Sequence, residues 1–371
     1  MSDLIVPFVN LERQFRNLEP ELTKAFLDVG RSGNYIMGER LESFERKIAE
    51  FCGVKYAVGV SDGSNALFLI LKALGIGPGD EVITATNSFI ASAWVIVAAG
   101  AKPILVDVAE DFNIDPEKIE AAITPRTKAI IPVHLTGRPA AMAQINDIAE
   151  LYDIKVIEDA AQAIGAKYHG RRVGSLSNAG SFSLHPLKNL GVYGDGGVIT
   201  TNEKKLYEKL RLLRNHGLRN RDECEEWGYN SRLDTLQAAF AEIKLGSLNS
   251  WNERNRYIAN MYRKALSKYV VVPTDNSWEE CVYHNFVIRT DMRDKLVIYL
   301  KNKGVDTRIH YPIPIHLQEV ALKLGYKEGD FPNAEKYSKT MLSLPIYPEL
   351  TENEINKVIA TVVEFFIGNN L

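Results

Sequence analysis

Two residues of this chain combine a reactive type with an unusual setting. The first is Lys188, at the end of Ser181-Phe182-Ser183-Leu184-His185-Pro186-Leu187-Lys188. Apolar neighbours and few nearby charges disfavour its ammonium form, which leaves a usable amine. Most lysines are surface residues; the flanking sequence sets this one apart, because a loop with four glycines in residues 191–197 follows. The second is Asp159, which ends the predicted strand Lys155-Val156-Ile157-Glu158-Asp159. Strand alternation puts Glu158 and Asp159 on opposite faces. An aspartate about 4 Å from a protonated ring nitrogen forms an ion pair worth roughly 4 kcal/mol at an effective dielectric of about 20. The competing role is a helix N-cap, since small residues follow.

Other residues complete a set. Asp62-Gly63-Ser64-Asn65 joins a predicted strand, 56–60, to an apolar helix, 66–74. Amides at such a helix start can hold a phosphate, with the Ser64 hydroxyl adding a donor. An ordinary cap fits the same residues equally well. Phe89, in Thr86-Asn87-Ser88-Phe89-Ile90, can stack on a flat ring or pack in the core. Gln162 can reach a ring or face solvent, and Asn230, read alone, is a cap. An amine for an aldehyde, an acid for a pyridine nitrogen, phosphate donors and an apolar surface are what pyridoxal 5′-phosphate (PLP) requires. Lys188, Asp159, Gly63-Ser64 with Ser183, and Phe89 are the candidates, and Lys188 is the residue expected to join the cofactor's aldehyde.

These positions depend on elements readable from periodicity. Strands at 56–60, 81–85, 103–108, 129–133 and 155–158 alternate with helices at 40–51, 66–74, 92–99, 113–123 and 145–152. In the first of these helices Leu41, Phe44, Ile48 and Phe51 make one apolar face. The alternation predicts an α/β domain with a mostly parallel sheet covered on both faces. Ligands collect beyond the carboxyl ends of such strands. Further helices are expected at 18–29, 203–214, 233–245, 251–266, 294–303 and 352–366, and strands at 198–201 and 282–289. Thr351 and Glu354 are spaced as a capping box. At 371 residues the chain exceeds the usual size of one core. The expected division is a large domain at 1–248 and a smaller C-terminal α+β domain at 249–371, with the boundary near 246–252. The proline-rich run from Ile309 through His310, Tyr311 and His316 to Leu317 reads as a stiff loop.

Composition excludes several classes. Hydrophobic residues are 46% and charged residues 25%, and 44 basic against 47 acidic residues give a net charge of −3. That argues against nucleic acid or anionic membrane as the main partner. No apolar run reaches the roughly 18 residues needed to span a bilayer, and the first seven residues lack the pattern of a signal peptide. Three scattered cysteines, Cys52, Cys224 and Cys281, suggest a reducing, cytoplasmic setting and offer no metal spacing.

The chain resembles the DegT/StrS family of sugar aminotransferases, PLP enzymes of the aspartate aminotransferase fold (PLP fold type I). The resemblance runs from about Val6 to Phe366. It is carried by Glu158-Asp159-Ala160-Ala161-Gln162, Phe182-Ser183-Leu184-His185-Pro186-Leu187-Lys188-Asn189-Leu190 and Gly194-Asp195-Gly196-Gly197. Gly228-Tyr229-Asn230-Ser231-Arg232-Leu233 and the segment from His310-Tyr311-Pro312 to His316-Leu317 are also similar. The resemblance implies that Lys188 holds the cofactor covalently and shuttles a proton. It implies that Asp159 pairs with the ring nitrogen, that Gln162 contacts the ring, and that Gly63, Ser64 and Ser183 bind the phosphate. Asn230 would reach the cofactor phosphate of a second subunit, so a homodimer with shared sites is expected. Leu187 stands where family members often carry serine or threonine, and Ser64 where threonine is common.

The implied reaction moves an amino group from glutamate to a keto group of a nucleotide-linked hexose. The Asn230 to Asp234 and His310 to Leu317 segments look more like members acting on 3-keto than on 4-keto sugars, which suggests a dTDP-linked 3-keto-6-deoxy hexose. His310, Tyr311 and His316 would wall the sugar pocket, unless the loop is a packed linker. The alternatives are a 4-keto sugar, another keto sugar or cyclitol, a PLP sugar dehydratase, and a non-catalytic regulator that keeps the fold. A histidine in place of Lys188 would favour dehydration; the lysine favours transamination.

Overall fold

The computed structural model describes residues 5–368; residues 1–4, on which the expectation about a leader peptide partly rests, and 369–371 lie outside it. The short apolar runs fold as β1 (Tyr56–Val60), β2 (Glu81–Ala85), β3 (Lys102–Val106), β4 (Thr127–Ile131) and β5 (Lys155–Asp159). A small hairpin, β6 (Lys167–Tyr168) and β7 (Arg171–Arg172), precedes β8 (Ala179–Ser183) and β9 (Gly197–Thr201). The main sheet has seven strands in the order β1-β9-β8-β5-β4-β2-β3. From β8 to β3 all neighbours are parallel, whereas β9 is antiparallel to both β8 and β1. The cause is local. Only the loop 184–196 joins β8 to β9, and a parallel return would need a longer crossover.

Helices α1 (Leu11–Ser32), α2 (Glu39–Cys52), α3 (Gly63–Ala73), α4 (Ala91–Ala99), α5 (Pro116–Ile119), α6 (Met142–Leu151) and α7 (Lys204–Leu213) interleave with the strands. Neighbouring strand residues fall into different cores. Ala57, Ile130, Val156 and Val198 pack with Phe44 of α2 and Ile145 of α6. Val58, Ile131, Ile157 and Ile199 pack with Leu69 of α3, Val95 of α4 and Leu210 of α7. The sheet is therefore covered on both faces, as the apolar strands require.

The expected pair of helices at 233–245 and 251–266 is one 32-residue helix, α8 (Thr235–Leu266), and the expected boundary at 246–252 falls inside it. Gly246-Ser247 and Asn249-Ser250 read as a break, since glycine costs about 1 kcal/mol in a helix. Leu248 between them is fully buried in the main core, and that packing carries the helix through. Beyond α8 come β10 (Glu279–Glu280), β11 (Phe286–Arg289), α9 (Arg293–Asn302), α10 (Glu319–Leu322), α11 (Pro332–Thr340), β12 (Met341–Leu344) and α12 (Glu352–Gly368). β10 joins the β6–β7 hairpin, and β11 pairs with β12. Ile258, Tyr262, Phe286, Leu342 and Val362 form a separate core here. Val6 belongs to it, because its N–H donates to the Gly304 carbonyl at 2.8 Å and it bridges to Val305. The N-terminal residues thus pack with the C-terminal part rather than with the rest of 1–248. No helix among the described residues is long and apolar enough to cross a membrane.

The capping box forms at α12. Glu354 N–H donates to Thr351 Oγ1 at 3.3 Å, and Thr351 N–H donates to Glu354 Oε2 at 2.9 Å. Arg13 grips the same carboxylate with two bonds, at 2.7 and 2.8 Å. Thr351→Ala is expected to lower the unfolding free energy by about 1 kcal/mol, read from urea denaturation; an unchanged midpoint would contradict this role for the cap.

Candidate active site

A cavity of about 540 Å³ lies where β5, β8 and the β1–α3 turn end. Asp159, Gln162, Ser183 and Lys188 line it, with Gly63 and Ser64 from the helix start and Phe89 from the β2–α4 turn. His310 and Tyr311 close it from the chain beyond α8. Sequence reading thus picked nine residues that the fold brings to one place.

The helix start is capped, and its first amides stay free to take a ligand. Asp62 is the N-cap of α3 and accepts from Asn65 N–H at 2.8 Å. The Gly63 and Ser64 amides lie in the first turn, where no intrahelical acceptor exists. A Cβ on residue 63 would sit 2.8 Å from Ser183 Cβ, closer than real side chains approach. Only glycine lets β8 bring the Ser183 side chain against the helix start. The result is a cradle of amides and a hydroxyl that fits a phosphate.

Asp159 is 5% exposed. Its Oδ2 accepts from Ser92 Oγ at 2.8 Å and its Oδ1 from Ala161 N–H at 3.2 Å. Burial pushes its pKa up, while Ser92, Ala161 and the Lys188 charge pull the other way. No α-helix starts after it, so it is not a helix N-cap. Glu158 points to the opposite side, fully buried, where it accepts from Gly174 and Leu176 N–H at 2.6 and 2.8 Å.

Lys188 is half-buried, in a turn where its N–H donates to the His185 carbonyl at 2.8 Å. Burial lowers its pKa to about 8, with Asp159 opposing. Gln162 is occupied at both ends: Oε1 accepts from Thr136 N–H at 2.8 Å, and Nε2 donates to Tyr311 Oη at 3.2 Å. It does not face solvent. Burial raises the Tyr311 phenol to about 12, helped by Asp159. Burial lowers His310 to about 4, with Lys188 and Arg308 adding to it, so the imidazole is neutral at pH 7. His310 Nδ1 lies 2.9 Å from Ser343 Oγ. Phe89 is 55% exposed at the cavity wall, its ring 5.9 Å from that of Tyr311, so it is not core packing. Leu187 is half exposed and also lines the cavity.

Two expected residues lie elsewhere. His316 does not wall the cavity. It is fully buried, with Nδ1 2.8 Å from Thr86 Oγ1 and Nε2 3.0 Å from Glu335 Oε1, and so ties the proline-rich loop to β2 and α11. Asn230 is exposed and is not among the residues lining its own chain's cavity. Two cavity residues escaped sequence reading. Ser92 sits in an apolar helix as one small residue among alanines. His284 lines the cavity just before β11, and burial, then Lys188, holds it well below the usual histidine range. Nothing local in sequence marks either one.

Residues 16–363 match the DegT/DnrJ/EryC1/StrS aminotransferase family, and the chain belongs to it. It is 45% identical over 366 residues to a protein of Geobacillus stearothermophilus named pleiotropic regulatory protein, covering 97% of this chain and 98% of that one. It is 45% identical over 360 residues to the dTDP-3-amino-3,6-dideoxy-alpha-D-galactopyranose transaminase of Aneurinibacillus thermoaerophilus, covering 96% and 99%. The crystal structure of S. venezuelae DesV in complex with ketimine intermediate matches with a TM-score of 0.96 and 43% identity, over 97% of this chain and 98% of that one. The chain is a sugar aminotransferase of the PLP-dependent type, with the aspartate aminotransferase-like fold.

The Lys188 setting gives a pH dependence. Only the neutral amine attacks an aldehyde, and burial holds its pKa near 8. The rate at which cofactor-stripped protein takes up PLP should therefore rise with pH, about tenfold per unit below 8, and level off above it. Stopped-flow absorbance reads this directly; a midpoint near that of an ordinary lysine would contradict the burial argument.

Proposed function

We propose that the chain moves an amino group from glutamate to the C3 keto group of a nucleotide-linked hexose, with dTDP as the carrier and a 6-deoxy sugar. The observation that carries this reading is the placement of Lys188 Nζ, the Asp159 carboxylate and the α3 amides on one cavity. The C3 and dTDP assignments are supported by the name of the Aneurinibacillus relative, and by the likeness of the Asn230 and His310 segments to 3-keto members.

PLP, when bound, supplies the electron sink for the carbon that loses its proton. The protein residues have separate tasks. Asp159 would hold negative charge against the ring nitrogen, and Ser92 and Ala161 keep that carboxylate oriented. Gly63, Ser64 and Ser183 hold the phosphate. Lys188 Nζ is the amine that takes and returns protons in the cavity. Gln162, itself fixed by Thr136 and Tyr311, would contact the ring. Phe89 offers its aromatic face to the ring. His310 and Tyr311, uncharged at neutral pH, present donors and acceptors suited to sugar hydroxyls. Asn230, exposed and outside its own cavity, reaches the phosphate held by a second copy, which makes the active form a homodimer. The setting is cytoplasmic, and no nucleic acid or membrane takes part.

The test is a panel of dTDP- and UDP-linked 3-keto and 4-keto sugars with glutamate, read by mass spectrometry. The expected product replaces the 3-keto oxygen by an amino group, with 2-oxoglutarate formed in equal amount. Loss of water without amination would point to a dehydratase, and PLP binding without any product to a regulator. Lys188→Ala is expected to complete no turnovers; sustained turnover by it would remove the assignment.

A further inference from the structure

One face of α8 carries four polar side chains, Gln237, Lys244, Asn252 and Asn255, at spacings close to whole helical turns. Three of them bond to the chain just after Lys188, and the fourth bonds beside His284; Asn252 Nδ2 also donates to the Ile164 carbonyl at 3.1 Å. Gln237 grips both main-chain groups of Tyr193, accepting from its N–H at 2.9 Å and donating to its carbonyl at 3.0 Å. Lys244 Nζ donates to the Gly191 carbonyl at 2.7 Å and to Gln14 Oε1 of α1 at 2.8 Å. It also stands 4.3 Å from the centre of the Tyr193 ring. Asn252 Oδ1 accepts from Asn189 Nδ2 at 2.9 Å. Asn255 Nδ2 donates to the Val282 and Tyr283 carbonyls, each at 3.4 Å, beside the cavity residue His284.

Lys244 is the costly member of this set. It is 2% exposed, and its ammonium forms no ion pair with a carboxylate among the described residues. Burial lowers its pKa to about 8, with the more distant Glu349 charge opposing; a buried ammonium with no carboxylate in contact is destabilising, and a methionine of similar length would fill the space with no such penalty. What the lysine adds is a long donor that reaches the Gly191 carbonyl, three residues past Lys188. Helix α8 is continuous over its 32 residues, so these bonds tie residues 189–193 to one long packed element.

We propose that Lys244 is a positioning residue for the reaction: with Gln237 and Asn252 it clamps the chain after Lys188 to α8, and so fixes the Lys188 amine against the cofactor. This rests on Lys188 being the cofactor lysine.

The experiment compares Lys244→Met and Gln237→Met with the unsubstituted full-length protein. Four quantities are read: PLP affinity by absorbance titration of stripped protein, the pH midpoint of the bound-cofactor absorption band, kcat and KM with keto sugar, and melting temperature. Loss of one buried hydrogen bond corresponds to about tenfold. Lys244→Met is expected to weaken PLP binding and to lower kcat by about that factor, and to shift the pH midpoint. KM for the sugar should stay within about twofold. Gln237→Met is expected to move the same quantities in the same direction, and it decides the matter if Lys244→Met does not fold. Folded variants with unchanged PLP affinity and pH midpoint would overturn the proposal, whatever their melting temperatures. An unsubstituted protein that shows no bound-cofactor band would instead overturn the reading of Lys188 itself.

Discussion

The site depends on holding a carboxylate charged beside an amine that gives up its proton more readily than an ordinary lysine, in one cavity. Burial works for the amine, since it lowers Lys188 to about 8. Burial works against the carboxylate, since it raises Asp159. A carboxyl raised in the folded state binds more protons there than in the unfolded chain. Its contribution to stability is present below its unfolded value and is lost as pH rises from there through the raised folded value. At neutral pH the cofactor-free protein therefore carries an unrelieved cost at Asp159, which the Ser92 and Ala161 donors reduce but do not remove. A cation bound at this carboxylate would supply the missing partner and would couple ligand binding to folding stability.

The rest of the architecture holds that pair in register. Asp159 ends β5 and Ser183 ends β8, which are hydrogen-bonded neighbours in the sheet. The distance between the Asp159 and Ser183 side chains is thus set by sheet geometry, not by loops. Gly63 lets the start of α3 approach β8, and the antiparallel β9 closes the loop that carries Lys188. Helix α8 then reaches from this loop to the second core. One helix thus joins the Lys188 loop to the second core.

Local chemistry was legible in sequence where a residue and its immediate neighbours define the environment. Asp159 at a strand end, Gly63-Ser64 at a helix start and Lys188 in an apolar run before glycines are such cases. The two-faced cover of the sheet was legible too, because strand alternation alone predicts it. What escaped depends on contacts distant in sequence. Ser92 meets Asp159 across 67 residues, and His316 meets Thr86 across 230. The second contact turns a pocket candidate into a buried tie. Gly246 and its polar neighbours signal a helix end, yet the burial of Leu248 overrides them. Val6 joins the second core through the Gly304 carbonyl, a pairing that no local pattern announces.

The central claim is that the Asp159 charge makes this cavity work on PLP, and Asp159→Asn tests it with little change of shape. An ion pair of roughly 4 kcal/mol corresponds to a rate loss on the order of a thousandfold. The account predicts a folded variant that still takes up PLP through Lys188, while kcat for amino transfer falls by about that factor. A variant with kcat within about twofold of the unsubstituted protein would contradict it.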